Sequence, residues 1–88
     1  MELRFKGQFN RDIDINNRKI LEAVHQAILN IKHASGINQI NNLKKLRNYQ
    51  VHYRIKVAKD YRIGIIIRNN TIWFARFGHR GLFYKSFP

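Results

Sequence analysis

The stretch HYRIKVAKDYRIG, residues 52–64, contains side chains that can bind phosphate or transfer a proton. Cationic and apolar side chains alternate in it, and a period of two directs successive side chains to opposite faces of a β-sheet. Arg54 and Lys56 share one face, and Arg62 continues it after a short polar break. Arginine and lysine bind phosphate oxygens through charge-assisted hydrogen bonds. The stretch therefore predicts a phosphate-binding surface on one side of a sheet.

The charge of the whole chain supports a polyanionic partner. Seventeen Lys and Arg stand against five Asp and Glu, giving a formal net charge of +12. Four of the acids precede Ala23, so Asp60 is the only acid after it. Such an asymmetry makes the chain repel itself and favours nucleic acid, an acidic protein, or both as partners.

Length and composition limit the class of protein. With 88 residues, we expect one domain spanning 1–88. The absence of cysteine excludes disulfides, thiolate nucleophiles and zinc–thiolate sites, and fits a reducing cytoplasm. The opening MELRFKGQFNRDID lacks the apolar run of a secretory signal. No apolar run approaches the ~18 residues of a membrane span, so we expect a cytoplasmic protein without a membrane partner.

The elements that must position the cations follow from hydrophobic periodicity. Residues 3–6 alternate as a first strand, and helical spacing follows between Gln8 and Ser35, as one bent helix or two. Asn16 or Asn17 is the expected helix N-cap and Gly36 the expected C-cap. Residues 37–48 are compatible with a helical turn or an irregular connection.

Three strands are predicted in the second half of the chain, at residues 51–57, 61–68 and 71–77. Short connections, including a tight turn at Asn69-Asn70, make them antiparallel neighbours. The prediction is an α+β fold, with the N-terminal strand and helices packed on one face of a small, mainly antiparallel sheet.

Period two also assigns the strand residues to faces. Under the helices we expect Tyr53, Ile55, Val57, Tyr61, Ile63, Ile65, Ile67, Trp73, Ala75 and Phe77. On the open face we expect His52, Arg54, Lys56, Arg62, Gly64, Ile66, Arg68, Ile72, Phe74 and Arg76. Arg68 and Arg76 are then candidate RNA-binding cations, and exposed Phe74 is a candidate for stacking on a base.

Two separated motifs, YRIKVAKDYRIGI (53–65) and TIWFARFGHRGLFY (71–84), resemble those of the RelE/ParE superfamily of toxins in order and spacing. The order of elements is similar over the whole chain. One departure lies in the first motif, where Ala58-Lys59-Asp60 replaces the shorter, glycine-containing turn of that family.

The resemblance implies a toxin of a type II toxin–antitoxin system, an endoribonuclease that cleaves mRNA on the ribosome and inhibits translation. It also implies the catalytic positions Arg54, Lys56, Arg62, His79, Arg80 and Tyr84. The arginines would stabilise the transition-state phosphate, because they cannot lose a proton near neutral pH. Lys56 would act as the base, and His79 or Tyr84 would supply the proton to the leaving group.

The implied partners are an acidic antitoxin, mRNA and the ribosome, with operator DNA bound mainly through the antitoxin. No cofactor is expected, and with no carboxylate cluster in the sequence no metal is expected either. Two other functions stay open from the sequence. One is a ParE-like poison of DNA gyrase, which needs no RNA-cleaving residues, and the other is a non-catalytic basic RNA-binding module.

Overall fold

The computed structural model describes residues 1–88 and contains one five-stranded sheet with three α-helices. The strands are β1 (Glu2–Phe5), β2 (Leu43–Lys45), β3 (His52–Val57), β4 (Tyr61–Arg68) and β5 (Thr71–His79). The helices are α1 (Gly7–Asp12), α2 (Arg18–His33) and α3 (Arg80–Ser86), with a 3₁₀ turn at Ile37–Gln39. The strand order is β1-β5-β4-β3-β2, and only the β1–β5 pairing is parallel. The predicted α+β class is confirmed.

Two separate helices occupy the first third of the chain, which settles the alternative that the sequence left open. Asn17 is the N-cap of α2, and its side chain accepts a hydrogen bond from the Ile20 N–H at 3.2 Å. The expected C-cap at Gly36 is wrong, because α2 ends at His33 and Ala34 follows in an extended conformation. Residues 43–45 form a short edge strand that the sequence did not reveal.

The main core lies between α1, α2 and one face of the sheet. Phe9 of α1 and Val24 and Ile31 of α2 are buried against the apolar face of the central strands. Apolar burial stabilises the fold by roughly 25 cal/mol per Å² of surface removed from water. The helices therefore cover the face predicted for them, and they leave the cationic face on the other side.

A β-bulge in β5 reverses part of the predicted face assignment. Gly64 pairs with Arg76 while Ile65 pairs with Phe74, so Ala75 is an extra residue in β5. Such an insertion shifts the inward–outward alternation by one position. Ile72 and Phe74, predicted on the open face, are fully buried in the main core. Trp73, predicted under the helices, shares the open face with Ile66, its partner in the register.

A second apolar cluster covers the middle of the open face. Ala75 packs there with Phe83 and Phe87, contributed by α3 and the residue after it, and not under the helices as predicted. The Phe87 ring lies directly on Gly64, where a Cβ atom would come within 2.8 Å of it. Because α3 was not predicted, the sequence left open how this face divides into separate surfaces.

Candidate active site

The cations of the open face stand opposite one another on neighbouring strands. Lys44 of β2 is the register partner of Arg54 in β3, and Lys56 is the partner of Arg62 in β4. Like charges directly opposite on a sheet are destabilising. Two such pairs in succession, with no acid among them, indicate a surface that binds an anion.

A groove of about 220 Å³ lies beside the first pair, between β2 and α3. Its lining combines cations with one aromatic hydroxyl, from Lys44, Lys45, Leu46, Arg47, Arg54 and Tyr84. The Tyr84 side chain is half exposed and packs edge-on against Phe83 at a centroid distance of 5.0 Å. The structure thus brings Arg54 and Tyr84 together, although 30 positions separate them in the sequence.

Lys44, Lys45 and Arg47 were missed as site residues by the sequence analysis. They belong to the segment whose structure the sequence left open, so no strand face could be assigned to them. The paired lysines in LKKLRN were the available signal, because three cations lie within four residues there. Their placement required the pairing of β2 with β3, which brings Lys44 opposite Arg54.

Arg54 and Arg62 are held by backbone carbonyls rather than by acids. The Arg54 Nη1 donates to the Asn42 carbonyl at 3.0 Å. The Arg62 Nη1 donates to the carbonyls of Lys59 and Tyr61 at 3.1 and 2.9 Å. Arg62 is only 7% exposed, and its Nε is buried without a hydrogen-bond partner. Both guanidinium groups are fixed in place with their positive charge uncompensated.

Gly78 of β5 is the register partner of Arg62, so it continues the row formed by Lys56 and Arg62 across the sheet. A Cβ atom built on Gly78 would meet no atom within 4 Å. The sheet surface beside Arg62 is consequently open at this position, in contrast to Gly64, which lies under the Phe87 ring. An anion can approach the backbone closely at such a glycine.

His79 does not join the other predicted catalytic residues. Its ring contacts Tyr61 at a centroid distance of 5.4 Å, and Tyr61 in turn packs against the main core on the helix side. The His79 Nδ1 accepts a hydrogen bond from the Gly81 N–H at 3.1 Å and caps α3. Strand β5 directs the His79 side chain toward Tyr61, away from the groove that Arg54 and Tyr84 share.

Arg80 begins α3 beside the β3–β4 turn. Its Nε lies 3.5 Å from the Asp60 carboxylate, and its backbone N–H donates to the Asp60 carbonyl at 2.8 Å. The Arg80 and Asp60 side chains are 61% and 43% exposed, so this ion pair contributes little to stability. Arg80 is thus positioned by the turn in which this chain departs from the family pattern.

Two of the predicted RNA-binding residues are engaged elsewhere. Phe74 is fully buried and stacks on Phe5 at 4.6 Å, which excludes it as an exposed platform for a base. The Arg76 Nε donates to the Asp12 carboxylate at 2.8 Å, so its charge is compensated within the fold. Arg68 is exposed, as predicted, and lies near Trp73 on the open face.

Asp12 connects α1 to the bulged strand. Its carboxylate accepts hydrogen bonds from Arg76, from the Phe77 N–H at 2.9 Å and from Gln8 at 2.8 Å. Burial by itself would raise the pKa of Asp12, but these hydrogen bonds outweigh it and hold the pKa below its ordinary value. The ionised carboxylate therefore stabilises the bulge from which Arg76 and Phe77 extend.

Two further observations concern the whole chain. No group of three or more His, Cys, Asp or Glu side chains is arranged to hold a metal ion. No helix is both long and apolar enough to cross a membrane.

The sheet, with α1 and α2 on one face and the Lys44–Arg54 and Lys56–Arg62 pairs on the other, defines a small basic α+β protein with a cationic face. No family model matches the sequence. Toxin RelE3 of Methanocaldococcus jannaschii is 32% identical over 89 residues, covering 100% of both chains. The chain belongs to the RelE family of toxins, which confirms the resemblance found in its motifs.

Solved structures agree with this assignment. A chain of the RelB–RelE antitoxin–toxin complex from Methanococcus jannaschii matches with a TM-score of 0.80 and 30% identity, covering 97% of this chain and 99% of that one. YafQ from E. coli matches with a TM-score of 0.67 at 13% identity, covering 94% and 97%. At that identity the likeness to YafQ concerns the fold alone.

Proposed function

We propose that this chain is the toxin of a type II toxin–antitoxin pair and cleaves mRNA on the ribosome. The observation that carries the proposal is the set of two neighbouring like-charged pairs, Lys44–Arg54 and Lys56–Arg62, the first of which shares a groove with the exposed Tyr84 side chain. Membership of the RelE family supplies the reaction class. The positions of the side chains support the assignment of electrostatic and proton-transfer roles to individual residues.

The arginines provide electrostatic stabilisation. During cleavage the phosphate passes through a pentavalent state with additional negative charge, which fixed cationic donors stabilise more strongly than they stabilise the ground state. Arg54 and Arg62 suit this role because backbone carbonyls fix them in advance. Arg80 joins them when its weak ion pair with Asp60 opens.

Lys56 and Tyr84 are the candidates for proton transfer. In the proposed reaction the Lys56 amine removes the proton of the ribose 2′-OH, and the 2′ oxygen attacks the adjacent phosphorus. The P–O2′ bond forms as the P–O5′ bond breaks, and the 5′ oxygen takes a proton from the Tyr84 hydroxyl. The products are a 2′,3′-cyclic phosphate and a 5′-OH, with Lys56 left as the ammonium and Tyr84 as the phenolate, so atoms and charges balance.

Tyr84 is favoured over His79 as the proton donor by position. Tyr84 lines the same groove as Arg54, whereas His79 caps α3 through its Nδ1 and packs on Tyr61. We therefore assign His79 to the structure of α3, which carries Tyr84. On this assignment, loss of His79 acts on cleavage indirectly, by weakening the helix that presents the tyrosine.

An antitoxin partner is part of the proposal. A relative of known structure, 30% identical to this chain, was solved as an antitoxin–toxin complex. The +12 charge and the uncompensated cationic face of this chain fit an acidic partner that neutralises them. Both the antitoxin and mRNA are then polyanions that compete for one face, which would place the toxin under the control of its antitoxin in the cytoplasm.

The test is induced expression of the chain in a bacterial host, followed by mapping of the 5′ ends of mRNA. The proposal predicts growth arrest with new 5′ ends clustered in reading frame. Arg54→Ala should lower the cleavage rate of purified protein on programmed ribosomes by ~10²–10³-fold. Tyr84→Phe, which keeps the ring and removes only the hydroxyl, should also reduce it strongly.

Lys32→Ala is the matched control for loss of one positive charge, because Lys32 is exposed at the end of α2 on the other side of the sheet. It should cleave at the wild-type rate. Growth arrest with intact messages, relieved by extra DNA gyrase, would contradict mRNA cleavage and favour a ParE-like action. Wild-type cleavage by both Arg54→Ala and Tyr84→Phe would refute the assigned roles.

A further inference from the structure

A second cationic surface lies on the open face, on the other side of the Phe87 ring from the active site. It is a hollow of about 350 Å³ lined by Lys6, Ile66, Arg68 and Trp73, which we call the Trp73 platform. In the register Trp73 lies between Arg4 and Ile66, and Ile66 is the partner of His52. This row contains the only tryptophan of the chain.

The charges of the Trp73 platform are uncompensated. The Lys6 Nζ lies 6.0 Å from the centre of the Trp73 ring, and neither Lys6 nor Arg68 forms an ion pair. Burial lowers the pKa of neighbouring His52, and the positive charges of Arg68 and Lys6 lower it further. Glu2 is paired with Arg4 at 2.6 Å, and Asp12 is paired with Arg76, so neither acid forms an ion pair with Lys6 or Arg68.

The composition of the hollow limits the class of ligand. An aromatic ring and an apolar side chain, flanked by two free cations, match a nucleobase with its phosphates on either side. Bases of single-stranded RNA are available for stacking, whereas those of a duplex are not. The β-bulge produces this surface, because it turns Trp73 outward and Phe74 into the core.

The platform is separate from the active site. Ile66 lies four residues from Arg62 along β4, which corresponds to ~13 Å at 3.3 Å per residue. The Phe87 ring covers Gly64 between them and approaches His52 to a centroid distance of 5.6 Å. A base held at Trp73 is therefore not the one beside the cleaved bond.

We propose that the Trp73 platform binds single-stranded RNA, with a base stacked on Trp73 and the adjacent phosphates held by Lys6 and Arg68. The identity of the polymer rests on the proposed function. The evidence for the site itself is the set of side chains that line the hollow. The site adds affinity for RNA at a position away from the cleaved bond.

Binding at the platform can be followed by the fluorescence of Trp73, because the chain contains no other tryptophan. A short single-stranded 2′-O-methyl RNA, which cannot be cleaved through its 2′ oxygen, is titrated into the wild-type chain. Binding is followed separately by the anisotropy of a labelled copy of the same RNA. The proposal predicts saturable quenching of Trp73 emission with the same midpoint as the anisotropy change. A duplex of the same sequence should bind with little quenching.

Variants separate stacking from charge. Trp73→Ala should weaken RNA binding by about 5- to 150-fold, and Trp73→Phe by less, since a base still has a ring to stack on. Lys6→Ala and Arg68→Ala should each reduce the slope of log affinity against log salt by ~0.7, whereas Lys32→Ala, remote from the platform, should not.

The proposal would be overturned if the Trp73 emission of the wild-type chain stays unchanged while anisotropy shows that the RNA is fully bound. This measurement uses no variant, so it does not depend on whether the variants fold. Quenching by poly-glutamate but not by RNA would also overturn it, in favour of an acidic protein at this surface. Because the RNA is not cleavable, the outcome does not depend on catalysis. Failure of mRNA cleavage with intact stacking would contradict only the proposed enzymatic function.

Discussion

At the scale of single residues, the site depends on which cations have an acid beside them. Arg76 and Arg54 were both predicted on the open face, but in the structure their guanidinium groups have different partners. Arg76 is bound by Asp12, whereas Arg54 is held by the neutral carbonyl of Asn42. A guanidinium that is fixed without losing its charge is suited to bind phosphate. Sequence patterns cannot make this distinction, because Asp12 lies 64 positions from Arg76.

The contribution of Asp12 to stability should depend on pH. Its pKa is lower in the folded chain than in the unfolded chain, so its contribution is complete above the unfolded value of ~3.9. The contribution is lost as the pH falls through the folded pKa. Asp12→Asn should lower the free energy of unfolding by ~1–3 kcal/mol at neutral pH, measured by urea denaturation.

The difference between wild type and Asp12→Asn should then shrink as the pH is lowered below about 4. Asp14→Asn is the matched control, because Asp14 is exposed and makes no hydrogen bond or ion pair through its carboxylate. It should behave as wild type at every pH. If the loss of unfolding free energy caused by Asp12→Asn stays constant down to the lowest pH at which the chain folds, the role of the ionised carboxylate is contradicted.

At the scale of elements, the bulge in β5 and the position of α3 determine the shape of the open face. The bulge exchanges Trp73 and Phe74 between faces. Helix α3 then places Phe83 and Phe87 over the centre of that face and Tyr84 at its edge. The single continuous strand face predicted from alternation is thereby divided into the groove beside Arg54 and Tyr84 and the Trp73 platform.

Two glycines on neighbouring strands provide a matched test of the α3 contact. A Cβ on Gly64 would lie 2.8 Å from the Phe87 ring, while a Cβ on Gly78 would meet nothing within 4 Å. Gly64→Ala should lower the free energy of unfolding by ~1–3 kcal/mol through overpacking. Gly78→Ala should leave it unchanged or raise it slightly. Equal destabilisation of both variants in thermal melts would contradict the close packing of Phe87 on β4.

The β3–β4 turn contains backbone strain that glycine would relieve. Ala58 and Lys59 have φ values of +47° and +63°, in the left-handed region where a side chain costs ~1–2 kcal/mol. Ala58→Gly should raise the free energy of unfolding by up to ~1 kcal/mol after the added entropy of the unfolded chain is subtracted. The helical substitution Ala27→Gly should lower it by ~1 kcal/mol. Destabilisation by Ala58→Gly in urea titrations would contradict the strain.

At the scale of the whole molecule, the +12 charge opposes the compact fold. Repulsion between exposed charges is screened as salt is added, with a Debye length of ~8 Å at 0.15 M. The melting temperature should therefore rise as sodium chloride is increased from low ionic strength to about 0.15 M. A melting temperature that falls over this range would show that favourable ion pairs outweigh the repulsion.

Local patterns in the sequence predicted the central strands, the long helix and a polyanionic class of partner, but not β2 or α3. Local periodicity predicts strands β3 and β4 and the apolar face of α2, and turn chemistry predicts the turn at Asn69-Asn70. Each of these signals extends over only a few residues. The excess of cations and the paired motifs indicated a polyanion-binding toxin family. Alternation along β3 and β4 likewise placed Arg54, Lys56 and Arg62 on one face, because a regular strand preserves its period of two.

Assembly of the site depends on contacts between elements, which local sequence patterns do not encode. The bulge at Ala75 changes the alternation of β5, and nothing in the local sequence distinguishes Trp73 from Phe74 as the residue that points outward. The pairing of β2 with β3 brings Lys44 to Arg54, and the folding of α3 onto Gly64 brings Tyr84 to the same groove. These contacts join residues far apart in the chain, so their energies depend on packing between elements rather than on the propensity of any one of them.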